Sequence, residues 1–395
     1  MPGFLPFTAL RYADRDLDAL VAPPYDVLTE ADADRYRQRS EHNIVHLDLP
    51  RGDDRYAEAG RLLRRWRADG VLVDDPEPSF TIYRMRFTDA GGTARDIAGV
   101  IGGLEVVDEG AGGVLPHERT TPKASTDRLD LTRATRANLS PVWGLSLAAG
   151  LTDLLADPGE PVGRVVDEGV EHVVERVADP DRVAAITGLV GSDDVLIADG
   201  HHRYGVSRIY RDEVRAATGR TDTAAEQTLA FVGELVAEQL SVAAIHRLYT
   251  GIGVDELLRV LSRRFRAARI DLPGPERAGS ELLGAMADQG FLVLIGRDAA
   301  WRLEPLPGAF DGVRALDGAR LEAALEGVPH QVDYQHGLPE VVAAVRDGRA
   351  EAGVLIRPVS VAEIHRTARE GLLMPPKSTF FTPKLKTGFV IRPLD

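Results

Sequence analysis

Apolar residues recur along this chain at two spacings, and each spacing predicts a kind of element. Alternation with period two predicts a strand over Phe80 to Phe87. A second strand, Ile97 to Val107, follows the turn residues Gly91-Gly92, so the pair reads as a hairpin. Short apolar runs predict strands at Val142 to Leu147, Val195 to Ala198, Phe291 to Ile295, Ala300 to Leu306 and Val354 to Ile356. Helical spacing brings Leu62, Leu63 and Trp66 onto one face of Tyr56 to Ala68. It also predicts helices over Asp181 to Val190, Val254 to Phe265 and Val361 to Arg369, and one after Arg203 with Val206, Ile209 and Tyr210 on its inner face. Thr29 is placed to cap a polar helix, and Ser125 to Asn138 reads as another, stopped by Ser140-Pro141.

Helix and strand signals intermingle throughout, so the expected fold class is α/β (α+β), with mixed sheets and flanking helices. At 395 residues, two or three domains are expected. The boundaries assigned are residues 1–95, 96–250 and 251–395. The tail from Met374 to Lys384 is rich in aromatics and punctuated by Pro, so it is expected to pack back on the protein rather than trail away.

Composition narrows the function classes. With 44% apolar and 27% charged residues the chain reads as an ordinary globular protein. It has no Cys, which excludes disulfides, thiolate zinc sites and cysteine nucleophiles. No apolar run approaches the roughly 18 residues of a membrane span, and no secretory signal opens the chain. A cytoplasmic location without membrane association is therefore expected. The formal charge of −14 argues against nucleic acid as a partner, because such binding relies on basic residues that neutralise phosphates.

Three stretches could carry chemistry. The first is Asp199-Gly200-His201-His202-Arg203, where an apolar strand runs through a Gly turn into a helix. Unpaired N–H groups at a helix start attract anions, Gly200 permits close approach to the backbone, and Arg203 offers a fork suited to phosphate. The bland alternative is that Asp199 only caps the helix. The second is Pro116-His117-Glu118-Arg119-Thr120-Thr121-Pro122-Lys123, with His117 and Glu118 as acid–base groups and Arg119 and Lys123 as anion binders, or else a solvated loop. The third is Lys377-Ser378-Thr379, a cation beside two hydroxyls; Pro376 stands where a Walker A loop needs Gly.

Five separated blocks carry a resemblance: Val21-Ala22-Pro23-Pro24-Tyr25-Asp26-Val27; Pro116 to Thr120; Arg133 to Pro141; Ala198 to Tyr204; and Met374 to Leu385. In this order they resemble a bacterial family known as domain of unknown function 1015. The middle region is also similar to the ParB/sulfiredoxin-like superfamily, which includes kinases of free L-serine. Those kinases share an Asp-Gly-His-His-Arg turn and an upstream Pro-His-Glu whose Glu serves as base. This chain departs from them in a longer spacing between the two motifs and in large flanking regions.

The resemblance implies a ParB/sulfiredoxin-like core elaborated by N- and C-terminal α/β regions, with a tail that returns to the active site. It implies an ATP-dependent kinase that converts L-serine to O-phospho-L-serine, with Mg²⁺ as cofactor. Catalytic roles would fall to Glu118, His117 and Asp199, and Asp199 would hold the metal or the amino group of serine. Phosphate contacts would come from Gly200, His201, His202, Arg203, Arg119, Lys123, Lys377, Ser378 and Thr379. The competing reading is a non-catalytic ParB-like nucleotide-binding regulator; a metal-dependent hydrolase built on His117, His201 and His202 is the third. Partners would be nucleotide and small-molecule substrate, with homodimerisation left open.

Overall fold

The computed structural model describes all of residues 1–395 except 90–91, 117–124, 272–277 and 376. Among the described residues, two sheets organise the chain. The larger has nine strands: β1 (Phe4–Leu5), β2 (Phe80–Thr88), β3 (Ala94–Glu105), β4 (Val114–Pro116), β5 (Val142–Ser146), β6 (Glu160–Asp167), β7 (Val170–Val177), β8 (Val195–Asp199) and β9 (Gln227–Glu234). Their order is β4-β8-β5-β9-β3-β2-β7-β6, with β1 added beside β3. The pairs β4·β8 and β5·β9 are parallel and the others antiparallel, so the sheet is mixed. The fold is therefore α/β with mixed sheets.

The alternation along these strands feeds two cores. Tyr83, Met85, Trp143, Leu145, Leu196, Leu229 and Phe231 point to one face. Phe80, Ile82, Val142, Val195, Ile197, Ala230 and Val232 point to the other. A sheet covered on both faces loses the polar–apolar alternation that marks a half-exposed strand. For that reason β9, which runs buried from Thr228 to Glu234 through the middle of the sheet, was not distinguishable in the sequence.

The second sheet is antiparallel and six-stranded: β10 (His246–Thr250), β11 (Phe265–Ile270), β12 (Leu292–Ile295), β13 (Ala300–Pro305), β14 (Gln331–Gln335) and β15 (Ala352–Leu355), ordered β11-β13-β12-β15-β10-β14. It too has a core on each face. The expected division after residue 95 falls inside β3, which pairs with β2 in the same sheet, and that after residue 250 at the end of β10.

Several elements follow their local signals. Thr29 caps Glu30–Arg39 in a capping box with Asp32, and the helices at Arg55–Ala68, Pro180–Val190 and Val361–Arg369 stand where the spacing put them. Three details differ. The helix from Val254 ends at Leu261, and Phe265 instead opens β11. The helix from Ser125 ends at Thr135, where Arg136 takes a positive φ and Ala137–Asn138 becomes a short strand. Ile209, expected on the buried face of its helix, is 38% exposed, whereas Val206 and Tyr210 are buried. The hairpin β6–β7 was unforeseen. Its turn, Glu168-Gly169, takes positive φ at both residues, the two-residue geometry that matches strand twist.

The tail is stitched back by backbone pairing. Phe380–Phe381 pairs with Val242–Ala243, Thr387 with Ala22, Ile391 with Leu10, and Arg392–Pro393 with Ala137–Asn138. Phe381, Phe389 and Ile391 enter the main core. No helix among the described residues is long and apolar enough to cross a membrane.

Candidate functional site

The strand β8 is buried from Val195 to Ala198 and delivers Asp199 to the sheet edge. Gly200 then takes φ 83°, ψ 27°, and the 18-residue helix His201–Thr218 begins at once. The left-handed conformation is the reason for glycine here, since a Cβ would be strained and would stand 3.0 Å from Arg203 Nε. Asp199 does not cap the helix. Its Oδ1 accepts the Gly200 N–H at 2.8 Å, and Gly200, in the capping position, has no side chain to cap the first turn. The start of so long a helix carries the dipole that attracts an anion.

Two cationic side chains close on Asp199. Lys384, from the tail, donates to Asp199 Oδ2 at 2.8 Å, and its ammonium stands 4.3 Å from the centre of the Phe380 ring. Arg203 turns inward. It donates to the Pro141 carbonyl, and its Nη2 lies 3.6 Å from both Asp26 Oδ2 and Asp199 Oδ2. Burial alone would raise the Asp199 carboxyl, but Lys384, Arg203 and the Gly200 N–H together hold it well below the usual carboxylate range. Asp199 is thus a fixed anion at the mouth of a helix.

Behind Arg203 a second layer holds the arrangement. The Arg128 guanidinium lies 4.1 Å from the centre of the Tyr25 ring and donates to the Asp48 carbonyl at 2.7 Å and to its carboxylate at 3.2 Å. Ser140 contacts Asp48 at 3.4 Å and Thr387 at 2.9 Å. Burial raises the Asp48 carboxyl even with Arg128 and Arg203 beside it, and Tyr25 is pushed up to about 12, chiefly by burial. These groups enclose a cavity of about 50 Å³ with Arg203 on its wall. It is too small for a substrate and large enough for water.

Sequence blocks far apart thus meet here: Tyr25 and Asp26, then Ser140 and Pro141, then Asp199 to Arg203, then Lys384. The remaining block reaches the same place through its first residue, since Pro116 pairs with Ile197, two positions before Asp199. His117, Glu118, Arg119 and Lys123 lie outside the described residues. His201 and His202 occupy the first turn of the helix, half-buried. In the tail, Lys377 is exposed, Ser378 is buried and donates to the Pro375 carbonyl at 2.7 Å, and Thr379 is half-buried. The tail lysine seated on Asp199 is Lys384, not Lys377. No cluster of three metal-ligating side chains occurs among the described residues.

A family model described as "Protein of unknown function (DUF1015)" matches residues 4–319, most of the chain. The chain belongs to the DUF1015 family. No curated protein matches it. Among solved structures, this DUF1015 protein is similar to a conserved hypothetical protein from Pyrococcus furiosus, at 14% identity and TM-score 0.37, covering 71% of this chain and 92% of that one. It is similar to a free serine kinase in complex with AMP, at 13% identity and TM-score 0.36, covering 70% and 89%. It is similar to SbnI from Staphylococcus aureus, at 12% identity and TM-score 0.37, covering 74% and 87%.

Asp26 and Lys384 were missed as site residues in the sequence. Both were charged members of blocks already singled out, and that was the available signal. The turn itself is testable through its glycine. Gly200→Ala is expected to cost about 1–2 kcal/mol from the left-handed backbone alone, read as a lower unfolding midpoint. It should also weaken nucleotide binding, because the added methyl presses on Arg203. Calorimetry giving wild-type nucleotide affinity for this variant would mean that the turn does not meet the phosphates.

Proposed function

We propose that this DUF1015 protein is a small-molecule kinase that transfers the γ-phosphoryl group of ATP to the hydroxyl of free L-serine. The observation that carries the reading is the Asp199–Arg203 turn: a left-handed Gly200 opens a long helix, with Lys384 brought from the far end of the chain onto Asp199. A helix start and an ammonium group side by side suit a phosphate chain. The Asp-Gly-His-His-Arg and Pro-His-Glu motifs, shared with free serine kinases, supply the chemistry.

In the proposed reaction the Glu118 carboxylate accepts the serine hydroxyl proton as the oxygen–phosphorus bond forms. The bond from the γ-phosphorus to the β–γ bridging oxygen breaks, and ADP leaves with that electron pair. His117 immediately precedes the base in the sequence. The backbone from Gly200 to Arg203, with His201 and His202, cradles the phosphates, helped by Arg119, Lys123 and Lys384; Lys377, Ser378 and Thr379 would act from the tail. Arg203 holds the turn in shape through Pro141, Asp26 and Asp199. Oxygen donors suit Mg²⁺, and the ionised Asp199, with Asp26 nearby, fits that requirement once Lys384 shifts its bond to a phosphate. When bound, Mg²⁺ would neutralise charge on the phosphate oxygens.

The test is direct. Purified protein is incubated with ATP, Mg²⁺ and a panel of hydroxyl-bearing metabolites, and new phosphomonoesters are sought by mass spectrometry. O-phospho-L-serine formed in step with ADP is the expected result. Tight nucleotide binding with no turnover on any acceptor would favour a regulatory nucleotide-binding protein instead.

A further inference from the structure

Next to the turn lies a cleft of about 310 Å³ that shares Lys384 with the phosphate site. Lys384 belongs to both, since it donates to Asp199 and also lines the cleft. A molecule in the cleft would therefore sit one side chain away from a phosphate on the turn. The cleft is also lined by Asp167, the last residue of β6 before the Glu168-Gly169 turn. Its Oδ2 accepts the Tyr36 hydroxyl at 2.7 Å and the Lys386 ammonium. Among the described residues, its Oδ1 has only a distant ion pair with Arg39 at 3.8 Å, which is beyond hydrogen-bond reach and leaves acceptor capacity.

Lys386 is only 7% exposed, and its backbone N–H donates to Tyr83 Oη at 3.0 Å. Tyr83 in turn contacts His172 Nδ1 at 2.8 Å. Burial and the nearby Lys386 lower His172 to about 3, so the floor of the cleft is an uncharged imidazole at neutral pH. Tyr83 and His172 belong to strands β2 and β7, so the Lys386 backbone is held against the sheet and this part of the cleft is preorganised.

The charges lining the cleft are balanced. Arg35, Lys384 and Lys386 face Asp32, Asp167 and Glu168. A site for a net anion, such as a sugar phosphate, would be expected to carry an excess of cations. Balanced charges suit a ligand with one charge of each sign. Leu28, Val170 and Phe380 supply the apolar wall between them.

We propose that this cleft is the acceptor site, and that it takes a hydroxyl-bearing α-amino acid as a zwitterion. Asp167, oriented by Tyr36, receives the ammonium at Oδ1, and Arg35, the lining cation that neither Asp167 nor Asp199 holds, receives the carboxylate. This assignment rests on the kinase reading for its chemistry, but the cleft can be tested without turnover. The cleft has room for side chains larger than that of serine, so homoserine and threonine belong in the same class.

The experiment measures binding to the full-length protein by calorimetry, without nucleotide. The probes are L-serine, L-homoserine and L-threonine, set against glycerate, which lacks the ammonium, and ethanolamine, which lacks the carboxylate. The expected result is binding of at least one amino acid and loss of at least about tenfold in affinity for either truncated probe, as for a lost charge-assisted contact. Asp167→Asn should weaken amino-acid binding by a similar factor while ATP affinity changes by less than about twofold. Tyr36→Phe keeps the packing, and should weaken amino-acid binding in the same direction should Asp167→Asn fail to fold. The assignment is overturned if no amino acid binds at about 10 mM, if glycerate or ethanolamine binds as well as the amino acids, or if the folded variants bind them unchanged. Amino-acid binding without phosphoryl transfer would sink the kinase reading and leave the cleft standing. Transfer to serine with an unchanged KM in Asp167→Asn would do the reverse.

Discussion

Replacing Glu118 by Gln is expected to lower turnover by roughly 10²–10⁴-fold, the usual worth of a general base, while the fold and ATP affinity stay near wild type. A serine hydroxyl is a poor nucleophile at neutral pH, so a carboxylate within hydrogen-bond reach is needed to take its proton during transfer. Glu118 follows Pro116 by two residues, and Pro116 is locked beside Ile197 in the parallel pair β4·β8. The chain therefore leaves the sheet next to the strand that carries Asp199. Neighbouring Arg119 and Lys123 would favour the ionised form that a base requires. Gln preserves size and hydrogen bonding but cannot accept the proton. If Glu118 only shaped its loop, the same change would lower the unfolding midpoint or weaken binding and spare turnover. Steady-state kinetics beside nucleotide calorimetry separate the two, and near-normal turnover would show that another group is the base.

Lys384→Met should have the second largest effect, on stability and on nucleotide binding together. Lys384 is 16% exposed and Asp199 25%, so their contact is largely shielded from water. Losing a charged hydrogen bond of this kind costs about 1.5–3 kcal/mol, with Arg203 still present to limit the damage. The pH dependence of that cost follows from the depressed Asp199 carboxyl. A carboxylate held below its unfolded value contributes stability that is present above the unfolded value, about 3.9 for Asp, and is lost as the pH falls through the folded one. The stability gap between wild type and Lys384→Met should thus be full at neutral pH and close only as the solution is taken below about pH 4. Chemical denaturation across that range gives the measurement, and a gap that closes already between neutrality and pH 6 would mean that the Asp199 pair is not its source. At neutral pH the variant should also lose ATP affinity, because the helix start would keep its N–H groups but lose its ammonium.

The sequence by itself determined the local elements whose signals do not depend on neighbours. Thr29 caps its helix through Asp32, Leu63 and Trp66 bury one face of theirs, and Gly200 stands where only a left-handed residue lets a strand turn directly into a helix. The phosphate-turn candidate was legible for the same reason: its strand, its glycine and its helix are contiguous. What only the tertiary structure decided were pairings between residues hundreds of positions apart. Lys377 and Lys384 are equally cationic in the sequence, and the choice between them came from the path of the tail, which pairs Phe381 with Val242 and Thr387 with Ala22 and so carries Lys384 onto Asp199. Asp26 became a partner of Arg203 through folding of the Pro23-Pro24-Tyr25 turn against Arg128, and Asp167 met Lys386 across a hairpin the sequence did not announce. Local periodicity reports the face a residue presents to its own element. It carries no information about which distant element will cover that face, because long-range contacts are set by the packing of whole sheets and by a tail that closes over them.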